Sequence, residues 1–155
     1  MKKITARKLT KFQEGFTLIE LLVVIGILAI LLAITLIAIN PSRQFGQANN
    51  TKRRSAATQI LNAIGAYIAD NNGQLPAPIT TTATEISSVG INLCSLLVPN
   101  YIPALPTNPT LNTTDVPSTC PAGYVTGYSV IKDANNRITV SALTTDNSVT
   151  ITATR

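Results

Sequence analysis

Few residues in this 155-residue chain could perform chemistry, and their types exclude several kinds of active site. There is no histidine and there are two cysteines, Cys94 and Cys120, so neither a histidine-based catalytic site nor a zinc cluster can be assembled from this chain alone. No paired-carboxylate constellation is visible either. The most unusual polar residue is Glu20, which is the one charge in the apolar run from Phe16 to Ile39. The sequence predicts that the protein is not an enzyme.

The apolar segment, assigned to residues 16–40, is long enough to cross a membrane. As a helix, residues 16–39 would be about 36 Å long, against about 30 Å for a hydrocarbon core. The basic residues that precede it are Lys2, Lys3, Arg7, Lys8 and Lys11. The positive-inside rule places them in the cytoplasm and the rest of the chain outside, as a single-pass protein of the cell membrane. Because the net charge of +5 is concentrated there, no specific nucleic-acid partner is predicted.

The order of the N-terminal segments is the reverse of an ordinary secretory signal. In such a signal the apolar stretch precedes the small-residue cleavage site, so cleavage removes it. Here Gly15 precedes the apolar stretch, and the basic leader, residues 1–15, has no apolar core of its own. Cleavage after Gly15 would therefore leave the whole helix on the mature protein, with a new amine on Phe16.

The run GFTLIE from Gly15 to Glu20, followed by unbroken aliphatic residues, resembles the processing motif of type IV prepilins and type II secretion pseudopilins. The resemblance implies that a membrane prepilin peptidase cuts after Gly15 and methylates the Phe16 amine. It also implies that Glu20 of one subunit neutralises that amine of its neighbour in a filament. A carboxylate at the centre of a membrane helix costs about 2.5–3.5 kcal/mol, and less near an end, which favours such a partner. The alternative is a plain anchor helix with Glu20 among the lipid headgroups.

The remaining helical region is predicted to contain a break and an amphipathic helix. Gly26 either permits close helix contact or is a tolerated small residue. A break is expected at Pro41, because proline lacks an amide hydrogen. Residues 41–73 then form an amphipathic helix whose apolar positions are Ala57, Ile60, Leu61, Ile64, Tyr67 and Ile68. The basic run Lys52 to Arg54 is interpreted as solvated helix surface, with nucleic acid or lipid headgroups as the alternative contacts.

Residues 74–155 are predicted to form a small globular head. Its first part, to Cys120, is rich in Pro, Thr and Asn and is expected to be a loop with one short helix within Ile91–Val98. Three strands are predicted, at Tyr124–Ile131, Arg137–Leu143 and Val149–Thr152. The fold class is therefore α+β, a long N-terminal helix with a three-stranded antiparallel sheet, which resembles the pilin head.

Cys94 and Cys120 are expected to form a disulfide, because they lie in a part of the chain predicted to be outside the cytoplasm. Two free buried thiols are the alternative. No cofactor is expected. The carboxylates Asp115, Asp133 and Asp146 could bind Ca²⁺ from loops, but turn formation is the favoured explanation for them, because the EF-hand spacing is absent.

Three functions are compatible with these features. The favoured one is a major pilin, the structural subunit of a type IV pilus or related surface filament, which would be a homopolymer built by an assembly machinery. A pseudopilin of a type II secretion or DNA-uptake system is the second, since the Pro-rich passage from Leu97 to Pro106 resembles major secretion pseudopilins. A membrane-anchored binding or adhesion module is the third, and it predicts that Gly15 is not cut.

Overall fold

The computed structural model describes residues 15–111, 115–116 and 118–155. The chain divides into two compact units, Met1–Asn40 and Pro41–Arg155. The predicted leader, residues 1–15, lies outside the described residues except for Gly15.

The described part of the first unit contains one helix, α1, Leu18–Ala38. Thr17 caps it in an extended conformation, so the helix begins two residues after Phe16. None of its residues is buried. Among the residues that the structure describes, α1 is the one helix whose length and composition suit a membrane span.

The second unit begins with α2, Pro41–Asp70. Proline is tolerated in a first helical turn, where its missing amide hydrogen would have no helical partner. The helix ends where Asn72 and Gly73 adopt left-handed backbone angles, and the Gly73 amide donates to the Ile68 carbonyl oxygen at 2.9 Å. The predicted apolar face is confirmed, because Ala57, Ile60, Leu61 and Ile64 are all buried.

The sheet has four antiparallel strands in the order β1-β2-β3-β4. They are β1 Thr84–Ser87, β2 Val125–Lys132, β3 Ile138–Ala142 and β4 Thr152–Thr154. The α+β class with its long apolar helix and antiparallel sheet is confirmed, but the predicted count of three strands is wrong. The prediction placed β1 in a loop, since it is four residues long and pairs with a strand some 40 residues later. The last predicted strand also began too early, at Val149 rather than Thr152.

The connection from β1 to β2 contains a four-residue helix, α3 Cys94–Leu97, inside the predicted short helix. A single 3₁₀ turn follows at Pro109–Leu111. Cys94 and Cys120 are joined by a disulfide with their Cα atoms 5.7 Å apart. The head therefore has the expected crosslink, and it ties this long connection to the core, because Cys94 is fully buried.

The core of the head lies between α2 and the sheet. The helix packs against β3 and β4, and α3 covers another part of it. The largest fully buried apolar side chains come from every part of the head: Ile60, Ile64, Ile86, Leu93, Leu97, Leu105, Tyr128, Val130 and Val140. Burial of such side chains contributes about 1.5–3 kcal/mol each.

A buried polar cluster, formed by Asn50, Arg53, Asn108 and Asp146, joins α2 to two loops of the head. Arg53 donates from Nε to Asn108 Oδ1 at 2.9 Å, and from Nη1 to Asn50 Oδ1 at 2.8 Å and Asp146 Oδ2 at 2.7 Å. The hydrogen bond from Arg53 lowers the pKa of the Asp146 carboxyl, and partial desolvation opposes it. We call this set the Arg53 cluster.

The Arg53 cluster corrects one sequence interpretation. The run from Lys52 to Arg54 was expected to be solvated helix surface, and this is wrong for Arg53, whose exposed fraction is 0%. Lys52 and Arg54 are exposed, as expected. A buried guanidinium requires a charged partner, and Asp146 supplies it from the connection between β3 and β4.

The two turns of the sheet's last three strands are stabilised in different ways. In the β2–β3 turn, Asp133 accepts hydrogen bonds from the backbone of Asn135 and Arg137 and from the Arg137 side chain, all at 2.8 Å. In the β3–β4 turn, Asp146 is bound by α2: the Asn50 side chain donates to its carbonyl oxygen and accepts from its amide. The first turn is therefore closed by its own residues and the second by a helix.

Candidate functional site

The start of α1 is held by a capping box between Thr17 and Glu20. The Glu20 amide donates to Thr17 Oγ1 at 3.2 Å. In return, Glu20 Oε2 accepts from the Thr17 amide and from the Thr17 hydroxyl, each at 3.3 Å. These bonds satisfy donors that a helix leaves unpaired at its first turn. The Glu20 carboxylate therefore has partners inside its own chain, and it lies at the end of the helix where a negative charge is favoured.

Gly15 and Phe16 precede this capped helix in a non-helical stretch. The Phe16 side chain is 81% exposed, and a Cβ added at Gly15 would meet nothing within 4 Å. Both residues of the Gly15–Phe16 peptide bond are thus exposed. Its hydrolysis would create an amine on Phe16, one residue before the backbone amide of Thr17 that Glu20 already binds.

The surface of α1 is apolar on every side. Its large side chains are about half or more exposed, from 48% at Val24 to 90% at Leu18. Gly26 leaves open space, since nothing lies within 4 Å of an added Cβ, so both of its predicted roles stay open. An apolar surface of this extent requires a cover of lipid or of other apolar helices.

Two non-helical residues, Ile39 and Asn40, precede Pro41. Helix α1 ends at Ala38, where the Ile39 amide still donates to the Thr35 carbonyl oxygen at 3.0 Å. Helix α2 then begins at Pro41 itself. Proline therefore occupies a first-turn position, where the lack of an amide hydrogen costs no helical hydrogen bond.

The three carboxylates that were considered for Ca²⁺ have separate partners. Asp115 accepts from the Thr107 amide at 2.9 Å, Asp133 pairs with Arg137 at 2.8 Å, and Asp146 pairs with Arg53. Within residues 15–111, 115–116 and 118–155 there is no group of three or more His, Cys, Asp or Glu side chains placed to hold a metal. The two cysteines are in the disulfide, so neither is a thiol.

Sequence reasoning overlooked one residue of this site, Thr17. The spacing Thr-x-x-Glu ahead of an apolar run is the signature of a capping box, and it was present in residues 17–20. The capping box is easy to overlook, because the same Glu20 also suits an ion pair with the amine of a neighbouring copy.

Comparison with known proteins identifies the same segment. A family model described as the prokaryotic N-terminal methylation motif matches residues 10–36, which include Gly15, Phe16, Thr17 and Glu20. No curated protein and no solved structure matches the chain. The matched residues run from the predicted leader through most of α1. They include the exposed Gly15–Phe16 junction and the capped Glu20. The N-terminal part of this chain is therefore a prepilin signal of the kind that type IV pilins and pseudopilins carry.

Proposed function

We propose that this protein is the major structural subunit of a type IV pilus or a related surface filament. A prepilin peptidase cleaves after Gly15 and methylates the amine of Phe16, and the mature chain polymerises through α1. One observation carries this proposal: α1, which the methylation motif covers in large part, is apolar along its length and none of its residues is buried.

The exposed surface of α1 supports two successive environments. Lipid covers it while the subunit is a single-pass membrane protein with its head outside the cytoplasm. In a filament, the α1 helices of other copies replace the lipid. This exchange costs little, because lipid tails and aliphatic side chains are about equally apolar, so packing and polar pairs decide where the helices meet.

Glu20 supplies such a polar pair. Cleavage creates a positive amine on Phe16, and an ion pair between this amine and Glu20 of a neighbouring copy is strengthened by the apolar surroundings. Within one chain the capping box already places the carboxylate at the helix start, 3.3 Å from the Thr17 amide. The glutamate is thus oriented toward the end of the helix where amines of neighbouring copies arrive.

The head has the properties of a repeating subunit. It is a compact unit with its own core and a disulfide, and α2 is its main packing partner for the sheet. No further element of the described head is needed for polymerisation, which α1 provides.

The test combines N-terminal mass analysis with electron microscopy of sheared surface material. The proposal expects filaments whose subunit begins at methylated Phe16. Gly15→Val is expected to leave the leader in place and abolish filaments. The matched control is Gly26→Val, which changes the other glycine of this region and should still be processed, because Gly26 lies inside α1.

The results also separate the alternatives. Methylated Phe16 in filaments that stay short and do not reach the surface would indicate a pseudopilin. An intact Met1 with monomers in the membrane would overturn the proposal and indicate a tethered binding module.

A further inference from the structure

A polar groove lies beside the first half of α2. One wall is a helical stripe made of Arg43, Gln47, Asn50, Thr51 and Arg54, and the other wall is made of Asn147 and Val149 from the β3–β4 turn. The volume of the groove is about 300 Å³, at the lower end of pockets that hold small ligands. The turn approaches the helix closely because of Gly46, where an added Cβ would lie 2.8 Å from Asn147 Nδ2. We call it the Arg43–Arg54 groove.

The chemistry of its walls suits an anion. Two guanidinium groups and the side-chain amides of Gln47 and Asn147 line it, and none of the lining residues is acidic. The Asn50 amide and the Thr51 hydroxyl also line it, but they donate to the carbonyl oxygens of Asp146 and Gln47 at 2.8 and 3.0 Å. Asp146 precedes the lining residue Asn147, but its charge is paired with Arg53 at 2.7 Å. Planar guanidinium groups bind phosphate oxygens with two parallel hydrogen bonds, and side-chain amides such as those of Gln47 and Asn147 bind the remaining oxygens of a headgroup.

The position of the groove along the chain allows it to reach the membrane surface. Arg43 follows the last residue of α1, Ala38, by five positions, and such a segment reaches at most about 17 Å even when fully extended. The headgroup layer extends roughly 5–7 Å beyond the hydrocarbon core on each side. Phe45 lies in the same stretch and is 72% exposed, so an apolar ring is available to insert between the lipids at the surface.

The charge pattern supports the same assignment. The positive-inside rule favours few cations on the outer side of a span, yet Arg43, Lys52 and Arg54 are exposed soon after α1 and no acidic residue occurs between Ala38 and Asp70. A helix surface that only contacts water does not require cations without acidic residues among them. An anionic membrane surface attracts it.

We propose that the Arg43–Arg54 groove binds the phosphodiester headgroup of an anionic phospholipid in the leaflet that faces the head. The inference rests on the membrane placement of α1 in the proposed function. Arg43 and Arg54 bind the phosphate oxygens, and Asn147 closes the groove from the turn. The bound lipid holds the first half of α2 at the membrane surface before the subunit is assembled.

The test uses the full chain reconstituted in phosphatidylcholine vesicles that contain a minor fraction of phosphatidylglycerol. Flotation first measures membrane association. The protein is then extracted in mild detergent, and native mass spectrometry counts the retained lipids by headgroup. The test variant is Arg43→Gln with Arg54→Gln, the conservative variant changes both arginines to lysine, and the control is Lys132→Gln with Arg137→Gln, which removes the same charge from the β2–β3 hairpin.

We expect phosphatidylglycerol to be retained in preference to phosphatidylcholine. Each arginine lost should weaken this retention about five-fold, the effect of one cation near an anionic membrane surface. The lysine variant should retain an intermediate amount, because ammonium groups keep the charge but not the bidentate geometry. The control should match the unmodified chain.

Several results would overturn the inference. Failure to float would refute the membrane placement and the groove together, whereas flotation without a headgroup preference would refute the groove alone. An equal loss in the control would show a general charge effect. Displacement of phosphatidylglycerol by an equal concentration of glycerol phosphate would identify a soluble anion as the ligand. Crosslinking of Arg43 to a second copy in the same vesicles, without retained lipid, would identify a subunit contact instead.

Discussion

Arg53 and Asp146 form an ion pair with a distance of 2.7 Å between Nη1 and Oδ2, although they are 93 residues apart in the sequence. Arg53 is fully buried in α2, and Asp146 lies in the β3–β4 turn. The same guanidinium binds Asn50 and Asn108, so a single side chain connects the helix, the loop before the 3₁₀ turn and the last turn of the sheet. Arg53 therefore holds both loops against α2, and Asn50 adds two direct hydrogen bonds to the backbone of the β3–β4 turn.

Replacement of Arg53 by methionine should destabilise the head by about 2 kcal/mol, because Asp146 loses its counter-ion and acceptors on Asn50 and Asn108 each lose one donor. The cost lies below that of a fully enclosed pair because one third of the Asp146 side chain is exposed. Chemical denaturation of the detergent-solubilised chain measures it. Arg137→Met, which removes an exposed ion pair, is the control and should be nearly neutral. Equal effects for the two variants would contradict the role of the Arg53 cluster.

Tyr128 should be the last tyrosine to ionise. Burial raises its pKa to about 12, while the positive charge of Arg53 opposes this shift. Since the folded-state pKa lies above the ordinary value of 10.0, folding favours the neutral phenol. This contribution is complete below pH 10 and is lost as the pH rises toward 12. Ultraviolet titration of the folded chain should show one late tyrosinate step that Tyr128→Phe removes.

The same substitution should not weaken the fold. Tyr128 Oη is buried and has no hydrogen-bond partner among the described residues. Replacement of an unsatisfied buried hydroxyl by hydrogen is neutral or stabilising, by up to about 1 kcal/mol. A loss of stability in Tyr128→Phe at neutral pH would show that the hydroxyl has a favourable role.

Glu20→Gln separates the two roles of the glutamate. Glutamine also completes a capping box, so the start of α1 should be retained while the negative charge is lost. We expect normal cleavage after Gly15 but a strong loss of sheared filaments, measured by electron microscopy and immunoblotting. Thr17→Ala is the matched variant, because it removes the cap at a cost of about 1 kcal/mol and keeps the charge. Normal filaments from Glu20→Gln would contradict the ion pair with Phe16.

Loss of the disulfide should destabilise the head by about 3 kcal/mol, because the crosslink closes a loop with a sequence separation of 26. The double variant Cys94→Ala with Cys120→Ala should unfold at lower denaturant concentration than the oxidised chain. A reducing agent should lower the stability of the unmodified chain and leave that of the double variant unchanged, which provides the control.

The sequence predicted those parts of the fold that have a local pattern. The spacing of Ala57, Ile60 and Ile64 indicated the buried face of α2, and the alternation around Tyr128 and Val130 indicated β2. Strand β1 was not predicted because Thr84–Ser87 has one large apolar residue, Ile86, and its hydrogen bonds come from a strand distant in sequence. Non-local pairing leaves no periodic signal in so short a segment.

The burial of Arg53 was invisible for a related reason. Its two neighbours, Lys52 and Arg54, are exposed and have the same charge. Arg53 is enclosed because Asn108 and Asp146, which lie 55 and 93 residues later in the sequence, accept hydrogen bonds from its guanidinium group. The processing junction has the opposite property, since its signal lies in one continuous segment around Gly15 to Glu20, within residues 10–36.

The two turns that follow β2 and β3 look alike in sequence, because both are short polar segments containing Asp and Asn. The first is held together by Asp133 and its immediate neighbours, whereas the second carries an anchor for α2. A foreign peptide carried on the head, for example as an antigen, therefore belongs between Asp133 and Arg137, where it would leave the interior unchanged. The same insertion beside Asp146 would separate this carboxylate from the buried Arg53 and destabilise the carrier.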